Sequence, residues 1–451
     1  MIQSIFRLAI AVVLLASCQT PDEKQKDQTI LFKNATIITG SDDTPLVNAD
    51  LLVKNGRIEA IGEKIENEQA EAVDLTGKTI IPGLISSHVH VGTLKGRENS
   101  AANFTRGNVL RQLQHYSKYG ILMVQSLGTD RKLLFENGLF DSIRNGELEG
   151  ARMLSAGWGF GAANGAPGFP EHEGEDNISR AETPEEVKAA VDQLTRYPVS
   201  ILKIWVDNGG DPATPKMKET TYRAIIEEAA KHNLPVASHL YFLADARQLA
   251  SDGIAVFAHS VRDKELDDTT IQLMKEKKIA YIPTLTLDEF AYVYGEQQPS
   301  WINDPFFKSS LEPGVYEYIL SEDFKRSQQD PGRMERNRHA FETALKNVKK
   351  LRDAGIVVGM GTDSGAQPVR AQGFAEHREL ELLVKAGLTP MQAIQAATIH
   401  NAQILRIEKD FGSLQKGKIA DFVVLDADPL ENISNTRQIL AVYKAGTKLS
   451  L

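Results

Sequence analysis

Two hydrophobic patterns alternate along the middle of the chain. Short apolar runs bounded by turn residues are typical of buried strands, and longer segments with apolar residues every three or four positions are typical of amphipathic helices. The predicted strands are residues 80–90, 121–127, 151–156, 200–206, 234–239, 254–259, 279–285 and 356–362. The predicted helices are residues 104–119, 132–145, a segment that begins at Pro184, and residues 216–232, 244–251, 266–277, 338–354, 374–386 and 390–405. Eight strands that alternate with helices predict an α/β protein built on a (β/α)8 TIM barrel.

Both ends of the chain show short alternating strands separated by turn residues instead. This pattern predicts a small discontinuous β-sandwich domain formed by residues 30–80 and 408–451, which flank a barrel domain of residues 81–407. The polar, aromatic-rich stretch 288–336 is long for a loop, so we expect it to carry helical pieces and to cover the mouth of the barrel.

The first residues have the pattern of a targeting segment. Residues 8–15 form an apolar run that is too short to span a bilayer but suits the core of a secretory signal. Leu15-Ala16-Ser17-Cys18 resembles the lipobox of bacterial lipoproteins, which implies cleavage before Cys18 and lipidation of that residue. We therefore expect a lipoprotein signal peptide at 1–18, a polar tether at 19–29, and an exported, membrane-anchored bacterial lipoprotein that faces the periplasm. An ordinary signal peptide with an incidental cysteine is the alternative.

Composition narrows the class of protein. With 451 residues, 42% hydrophobic and 25% charged, the chain can bury a large core. The net charge is −9 and no basic stripe is concentrated anywhere, which argues against nucleic acid as the main partner. The single cysteine excludes an intrachain disulfide, so stability must come from the core. A homo-oligomer is compatible with the sequence, which leaves the oligomeric state open.

Side chains that can bind a metal lie at or near the ends of five predicted strands. Residues two apart on a strand point to the same side, so His88 and His90 aim at one place. Active sites of barrels lie at the carboxyl ends of the strands. Any one histidine there is by default a satisfied core or surface residue, but their joint placement indicates a shared site. The candidate ligands are His88, His90, Lys203, His239, His259 and Asp363.

The chain resembles the amidohydrolase superfamily, whose members are metal-dependent hydrolases on a (β/α)8 barrel with a flanking β-sandwich. One departure is Ser86, where the family usually has Asp; we expect this position to face away from the metals. Lys203 makes the chain similar to the imidazolonepropionase-related branch that includes Xaa-Pro dipeptidases, in which the strand-four lysine is carboxylated and bridges two metal ions. The motifs that carry the resemblance are Pro82-Gly83-Leu84-Ile85-Ser86-Ser87-His88-Val89-His90, Gly361-Thr362-Asp363-Ser364-Gly365, Ala386-Gly387-Leu388-Thr389-Pro390 and Gly417-Lys418-Ile419-Ala420-Asp421-Phe422.

The resemblance implies a binuclear centre. The implied first-metal ligands are His88, His90, Asp363 and carboxylated Lys203, and the implied second-metal ligands are Lys203, His239 and His259. Imidazole and oxygen ligands suit Zn²⁺. Two ions about 3.5–4 Å apart would share a hydroxide, and Asp363 would pass its proton to the leaving nitrogen. A lysine in an apolar strand shifts toward the neutral amine that can form a carbamate; an ion pair with a nearby acid is the alternative for Lys203.

Tyr241 and Arg262 are candidates for substrate recognition. Tyr241 matches a tyrosine that related peptidases place near the scissile carbonyl, where it could donate to the oxyanion; a packed aromatic is the alternative. Arg262 could bind a substrate carboxylate, but pairing with a neighbouring acid is favoured. His377 is expected to be structural.

The sequence therefore predicts a metal-dependent amidohydrolase that cleaves an amide C–N bond in a small molecule, either a dipeptide or an N-acyl amino acid. Within the same enzyme class, a cyclic amide or imidazolone-like ring is the alternative substrate. A non-catalytic binding lipoprotein on the same scaffold is the alternative from another class.

Overall fold

A computed structural model describes residues 29–168, 177–210, 213–296 and 299–450. The predicted signal peptide, and all of the predicted tether except its last residue, lie outside these residues. Within the described part of the chain, every helix is too short or too polar to cross a membrane.

The described residues form eighteen strands and fourteen α-helices. The strands are β1 Thr29–Ile37, β2 Leu46–Lys54, β3 Arg57–Gly62, β4 Glu71–Asp74, β5 Thr79–Pro82, β6 Leu84–Val89, β7 Leu94–Lys95, β8 Glu98–Asn99, β9 Ile121–Ser126, β10 Arg152–Ser155, β11 Phe160–Gly161, β12 Leu202–Trp205, β13 Val236–His239, β14 Val256–Ala258, β15 Ala280–Ile282, β16 Phe422–Leu425, β17 Ile439–Lys444 and β18 Thr447–Lys448. The helices are α1 Arg106–Lys118, α2 Leu139–Asn145, α3 Pro184–Leu194, α4 Glu219–Lys231, α5 Leu243–Asp252, α6 Asp268–Lys277, α7 Leu285–Phe290, α8 Pro305–Ser310, α9 Val315–Leu320, α10 Glu322–Gln328, α11 Pro331–Asp353, α12 Phe374–Lys385, α13 Pro390–Gln395 and α14 Asn401–Ile404.

The central strands are parallel and alternate with helices, which makes the fold TIM-barrel-like. One sheet has the order β10-β9-β6 and the other has the order β11-β12-β13-β14-β15. The backbone N–H of Ser200 donates to the carbonyl of Ser155 over 2.9 Å and joins β10 to the segment that leads into β12. The strands of both sheets are buried on both faces, as expected when helices cover a parallel sheet.

The segment 356–362 takes the place of the last strand, but the prediction of a continuous strand there is wrong. Val358 forms an isolated bridge with Tyr281 on one side, and on the other side Ser364, two residues past the end of the segment, forms one with Val89. These bridges connect the two parallel sheets, so the segment positions its end beside β6.

The predicted strand 80–90 is divided at Gly83 into β5 and β6, and three further differences from the sequence prediction have a clear local cause. The helix predicted at 132–145 is interrupted, because Asn137 and Gly138 adopt left-handed backbone angles of 53° and 71°. The strand predicted at 279–285 ends at Ile282, since α7 begins at Leu285. The helix predicted at 338–354 begins seven residues earlier, and the side chain of Asp330 caps it by accepting from the N–H of Arg333.

Strands from both ends of the described chain lie in one eight-stranded sheet. Its main path runs β18-β17-β16-β5-β1-β2-β3, with β4 paired to β1. This sheet has its own hydrophobic core, in which Phe422 and Tyr443 stack with ring centroids 4.6 Å apart and Phe32 packs edge-on against both. The two ends of the described chain therefore share one packed layer.

The long stretch 288–336 carries the predicted helical pieces. It contains the end of α7, all of α8, α9 and α10, and the start of α11. Its aromatic side chains form a separate cluster that packs onto the start of α12, including Trp301, Phe307 and Phe374. The stretch is thus a packed layer beside the barrel.

A buried ion pair joins the terminal sheet to the barrel. Arg152 on β10 pairs with Asp421, and their side chains are 3% and 8% exposed. Replacing Asp421→Asn leaves the buried guanidinium without its counter-charge, so we expect the free energy of unfolding to fall by about 3 kcal/mol. Urea denaturation followed by circular dichroism measures this loss. The matched control is Asp410→Asn, because its pair with Arg57 is exposed and should matter little. Equal stability of both variants would contradict a structural role for the buried pair.

Candidate metal centre and active site

Two histidines and one aspartate converge at the end of β6. His88 and His90 are 1% and 7% exposed. The Nε2 atoms of His88 and His90 lie 3.3 Å and 2.8 Å from Oδ1 of Asp363. Thr129 Oγ1 lies 2.7 Å from His90 Nδ1, which leaves Nε2 of this ring directed at the carboxylate. One donor atom from each of the three residues lies within 4.8 Å of the others, so this buried group can bind a metal.

Asp363 is held in an uncommon backbone conformation, with φ of +59°. The hydroxyls of its neighbours Thr362 and Ser364 both donate to Oε1 of Glu376, over 2.7 Å and 2.8 Å. The N–H of Gly373 donates to Oε2 of the same carboxylate over 2.8 Å. Glu376 therefore fixes the turn that presents Asp363 to the histidines.

Ser86 also approaches this carboxylate. Its Oγ lies 3.3 Å from Oε1 of Glu376 and is fully buried. Ser86 thus contacts the residue that supports the Asp363 turn.

His239 and His259 complete the histidine cluster from β13 and from the end of β14. The ring centroids of His239 and His259 are 4.3 Å apart, and those of His88 and His259 are 4.5 Å apart. Thr284 Oγ1 lies 2.7 Å from His259 Nδ1, which leaves Nε2 of His259 for another partner. Burial and neighbouring positive charge hold the pKa values of both rings well below the usual value. Both rings are therefore neutral, the form that binds metals.

Lys203 lies fully buried in β12, beside these histidines. Its Nζ has no hydrogen-bond partner among the residues that the structure describes, so the alternative of an ion pair is not observed. The centroid of the Trp205 ring lies 5.2 Å from Nζ. Burial lowers the pKa of Lys203 to about 7, against the weaker opposing effect of Asp363 and Asp207. In a large fraction of the molecules, the Lys203 side chain is therefore the neutral amine at neutral pH.

The unpartnered atoms test whether a metal group fits this site. Besides Lys203 Nζ, Nδ1 of His239 is buried without a partner in the described chain. Buried polar atoms without partners are costly and uncommon. Metal ions would satisfy the imidazole, and a carbamate on Nζ would convert the amine into an oxygen ligand. The residues present therefore fit a metal centre.

A cavity of about 300 Å³ opens onto this cluster. It is lined by His88, His90, His239, His259 and Asp363, together with Thr129, Trp205, Arg370 and residues of neighbouring loops. Lys203 lies behind this wall. Five of the six ligands predicted from sequence thus line one cavity, and the sixth lies beneath it.

Sequence reasoning missed Arg370, which lines the cavity and pairs with Oδ2 of Asp363. Burial opposes ionisation of Asp363, but the Arg370 charge and the bonds from His88 and His90 outweigh it and hold the pKa of Asp363 well below its usual value. The only sequence signal was an arginine seven residues beyond Asp363 in the loop after the last strand.

Tyr241, Arg262 and His377 do not line this cavity. Tyr241 is half-buried, and its ring lies 5.0 Å from the guanidinium carbon of Arg262. Arg262 pairs with buried Asp288 over 2.5 Å, which confirms the ion-pair interpretation. His377 is buried and lies 2.9 Å from the Tyr119 carbonyl through Nε2, as expected of a structural residue.

Residues 79–449 match the sequence profile of the amidohydrolase family, which covers most of the chain. The chain belongs to the amidohydrolase family. Amidohydrolases are metal-dependent, and this one has a buried His-His-Asp group that can bind a metal. The protein is therefore an enzyme, a hydrolase that acts on carbon–nitrogen bonds.

Relatives extend over nearly the full length of this amidohydrolase. It is 24% identical to ochratoxinase from Aspergillus niger, across 93% of this chain and 86% of that protein. It is 24% identical to imidazolonepropionase from Geobacillus sp. (strain WCH70), across 88% of this chain and 91% of that protein. The solved structure of a Xaa-Pro dipeptidase with bound methionine in the active site superposes with a TM-score of 0.74 and 22% identity, covering 94% of this chain and all of that one.

Glu376 offers a direct test of how the site is held. Replacing Glu376→Ala releases Thr362 and Ser364, so we expect metal affinity, measured with zinc as the probe ion, to fall by about 10- to 100-fold, as for other residues that orient metal ligands. Competition with a fluorescent zinc chelator gives the dissociation constant. Glu376→Gln, which keeps one acceptor oxygen, should fall between wild type and Glu376→Ala. The matched control is Glu227→Gln on the exposed face of α4. Unchanged zinc affinity in a folded Glu376→Ala protein would show that the network does not position Asp363.

Proposed function

We propose that this amidohydrolase hydrolyses the amide C–N bond of a dipeptide or an N-acyl amino acid. The observation that carries the proposal is the meeting of four histidines and Asp363 at one cavity, with the unpartnered Lys203 buried behind its wall. The names of the relatives support amide or related C–N substrates. Family membership argues against the non-catalytic binding lipoprotein considered from sequence.

The centre would hold two zinc ions. We assign carboxylated Lys203 as the shared ligand; His88, His90 and Asp363 complete one site, and His239 and His259 complete the other. Neutral imidazoles and carboxylate oxygens are ligands that zinc favours. When bound, such a pair of ions polarises the scissile carbonyl and lowers the pKa of a water molecule.

The chain's own residues supply proton transfer and orientation. Asp363 lies at the cavity wall as an ionised carboxylate, so its oxygen can accept a proton from the attacking water and deliver it to the leaving nitrogen. Thr129 and Thr284 fix the ring orientations of His90 and His259. We retain Tyr241 as a candidate oxyanion donor; this role requires its ring to leave Arg262 and reach the substrate.

A cyclic amide is the second candidate substrate, and the likeness to imidazolonepropionase favours it. A cavity of about 300 Å³ accepts either a small ring or the two groups that flank an amide bond. Hydrolysis rates on a panel of Xaa-Pro dipeptides, N-acyl amino acids and imidazolone-like rings, with zinc and bicarbonate supplied, distinguish the two. Turnover of rings alone would replace the first candidate with the second.

We also propose that the terminal sheet is a separate β-sandwich domain, formed by residues 30–80 and 408–451 around its own aromatic core. The barrel would then be residues 81–407. The distinct core cluster of this sheet supports the division.

The role of Lys203 is tested by its removal. In Lys203→Ala we expect at most one zinc ion per chain, and we expect kcat/KM on a cleaved amide to fall by about a hundredfold or more because the metal-dependent step is lost. Elemental analysis and steady-state kinetics measure the two effects. The control is Lys385→Ala, at an exposed position of α12. Full zinc content and full activity in Lys203→Ala would exclude the binuclear assignment.

Export and anchoring are proposed from the sequence alone. If Cys18 carries lipid, the native protein fractionates with membranes and its mature N-terminal peptide has the added mass of a lipid. Cys18→Ser should abolish both properties without changing the activity of the purified enzyme. A wild-type protein that is secreted in soluble form with unmodified Cys18 would refute the anchor.

A further inference from the structure

A second pocket opens beside the catalytic cavity, and Gln367 and Arg370 line both. This outer pocket has a volume of about 810 Å³ and lies between the β7–β8 hairpin, residues 290–333 and residues 367–370. Because two residues line both spaces, the outer pocket lies directly beside the histidine cluster.

The walls of the outer pocket are aromatic and cationic. Phe290, Tyr294, Tyr318 and Phe324 contribute the rings. Arg97 and Arg333 contribute positive charge besides Arg370, and Glu98 is the one acidic residue among the described lining residues. The pocket therefore carries a net positive charge over an aromatic surface.

The arginines of this pocket have few competing partners. The guanidinium of Arg97 lies over the Tyr318 ring, 4.0 Å from its centroid. In the described chain, neither Arg97 nor Arg333 has a carboxylate within ion-pair distance, and Arg370 pairs only with Asp363. The Arg333 guanidinium donates to the Ser327 carbonyl, which leaves its charge uncompensated. Three arginines, of which only Arg370 is paired with a carboxylate among the described residues, thus line a space in which an anionic group can be bound.

Hydrogen bonds join the three segments that form the outer pocket, so the pocket is preformed. The Tyr294 hydroxyl donates to the Val369 carbonyl over 3.0 Å and ties the aromatic segment to the loop that carries Arg370. Glu312 accepts from the N–H of Gly96 over 3.1 Å and ties the same segment to the hairpin that carries Arg97. A preformed pocket loses little entropy when it binds a ligand.

We propose that the outer pocket binds the carboxylate-bearing end of the substrate, with Arg370 as the principal carboxylate partner and the aromatic walls around an apolar side chain. A planar guanidinium binds a carboxylate through two parallel hydrogen bonds. Since Arg370 reaches Asp363, a carboxylate bound there lies close to the reacting amide. This fits an amide substrate whose C-terminal residue is aromatic or large and apolar. The inference rests on the proposed amide hydrolysis.

Binding without turnover tests the pocket itself. The probes are 3-phenylpropanoate and its uncharged analogue 3-phenylpropan-1-ol, titrated calorimetrically into the zinc-loaded full chain. We expect the carboxylate to bind about tenfold more tightly than the alcohol, the difference expected from a charge-assisted hydrogen bond. Arg370→Gln should reduce this preference to about twofold, whereas Arg370→Lys should keep part of it.

A second variant keeps the test decisive if Arg370→Gln does not fold. The double variant Arg97→Gln/Arg333→Gln leaves the Asp363 pair intact and should reduce the preference by a smaller factor. Arg326→Gln is the matched control, because this exposed arginine on α10 pairs with Asp323 and does not line the pocket. An unchanged carboxylate preference in the folded variants would place the anion elsewhere, such as on the metals, and overturn the proposal. Equal binding of both probes to wild type would also overturn it.

Hydrolysis assays separate this proposal from the proposed function. If 3-phenylpropanoate binds as expected but no amide in the panel is cleaved, the outer pocket stands and amide hydrolysis fails. If N-acetyl-L-phenylalanine and N-acetyl-L-phenylalaninamide are cleaved with equal KM values, amide hydrolysis stands and carboxylate recognition by Arg370 fails.

Discussion

The candidate metal centre depends on one buried side chain, Lys203, which lies in an apolar strand without a hydrogen-bond or ion-pair partner in the described part of the chain. An isolated ammonium in this position would be strongly destabilised, and burial accordingly lowers the pKa of Lys203 to about 7. Neighbouring imidazoles are neutral for the same reason, since burial is also the largest cause of the lowered pKa values of His239 and His259. A protein that needed only a stable core would have an aliphatic residue here. The free-energy cost of burying these polar groups without partners is explained if the amine and the imidazoles bind metal ions.

The rest of the site is organised to keep its ligands in place. Asp363 has a left-handed backbone conformation, which is uncommon for residues other than glycine. Glu376 supplies that support by accepting from the hydroxyls on both sides of Asp363. Backbone strain and a buried carboxylate therefore lie together at the functional site, and the ion pair with Arg370 extends the arrangement toward the outer pocket.

Sequence periodicity predicted the parts of the site that follow from strand geometry. His88 and His90 could be placed together because side chains two apart on a strand share a face, and His239 and His259 because each lies at the end of an apolar run. Glu376 and Arg370 could not be found in this way. Glu376 lies in the first turn of α12, where acidic residues are common for reasons unrelated to catalysis, and Arg370 lies in a loop without periodicity. The segment 356–362 has the composition of a strand, but it is joined to its neighbours by one bridge and separate backbone hydrogen bonds, a difference that periodicity along the chain does not show.

The proposed mechanism requires Lys203 to be a shared ligand of two metal ions. Crystallography of the zinc- and bicarbonate-treated protein, with anomalous diffraction recorded at the zinc edge, tests this shared ligation. We expect two anomalous peaks, one beside His88, His90 and Asp363 and the other beside His239 and His259, with carbamate density on Lys203 Nζ between them. A single peak with an unmodified lysine side chain would contradict it.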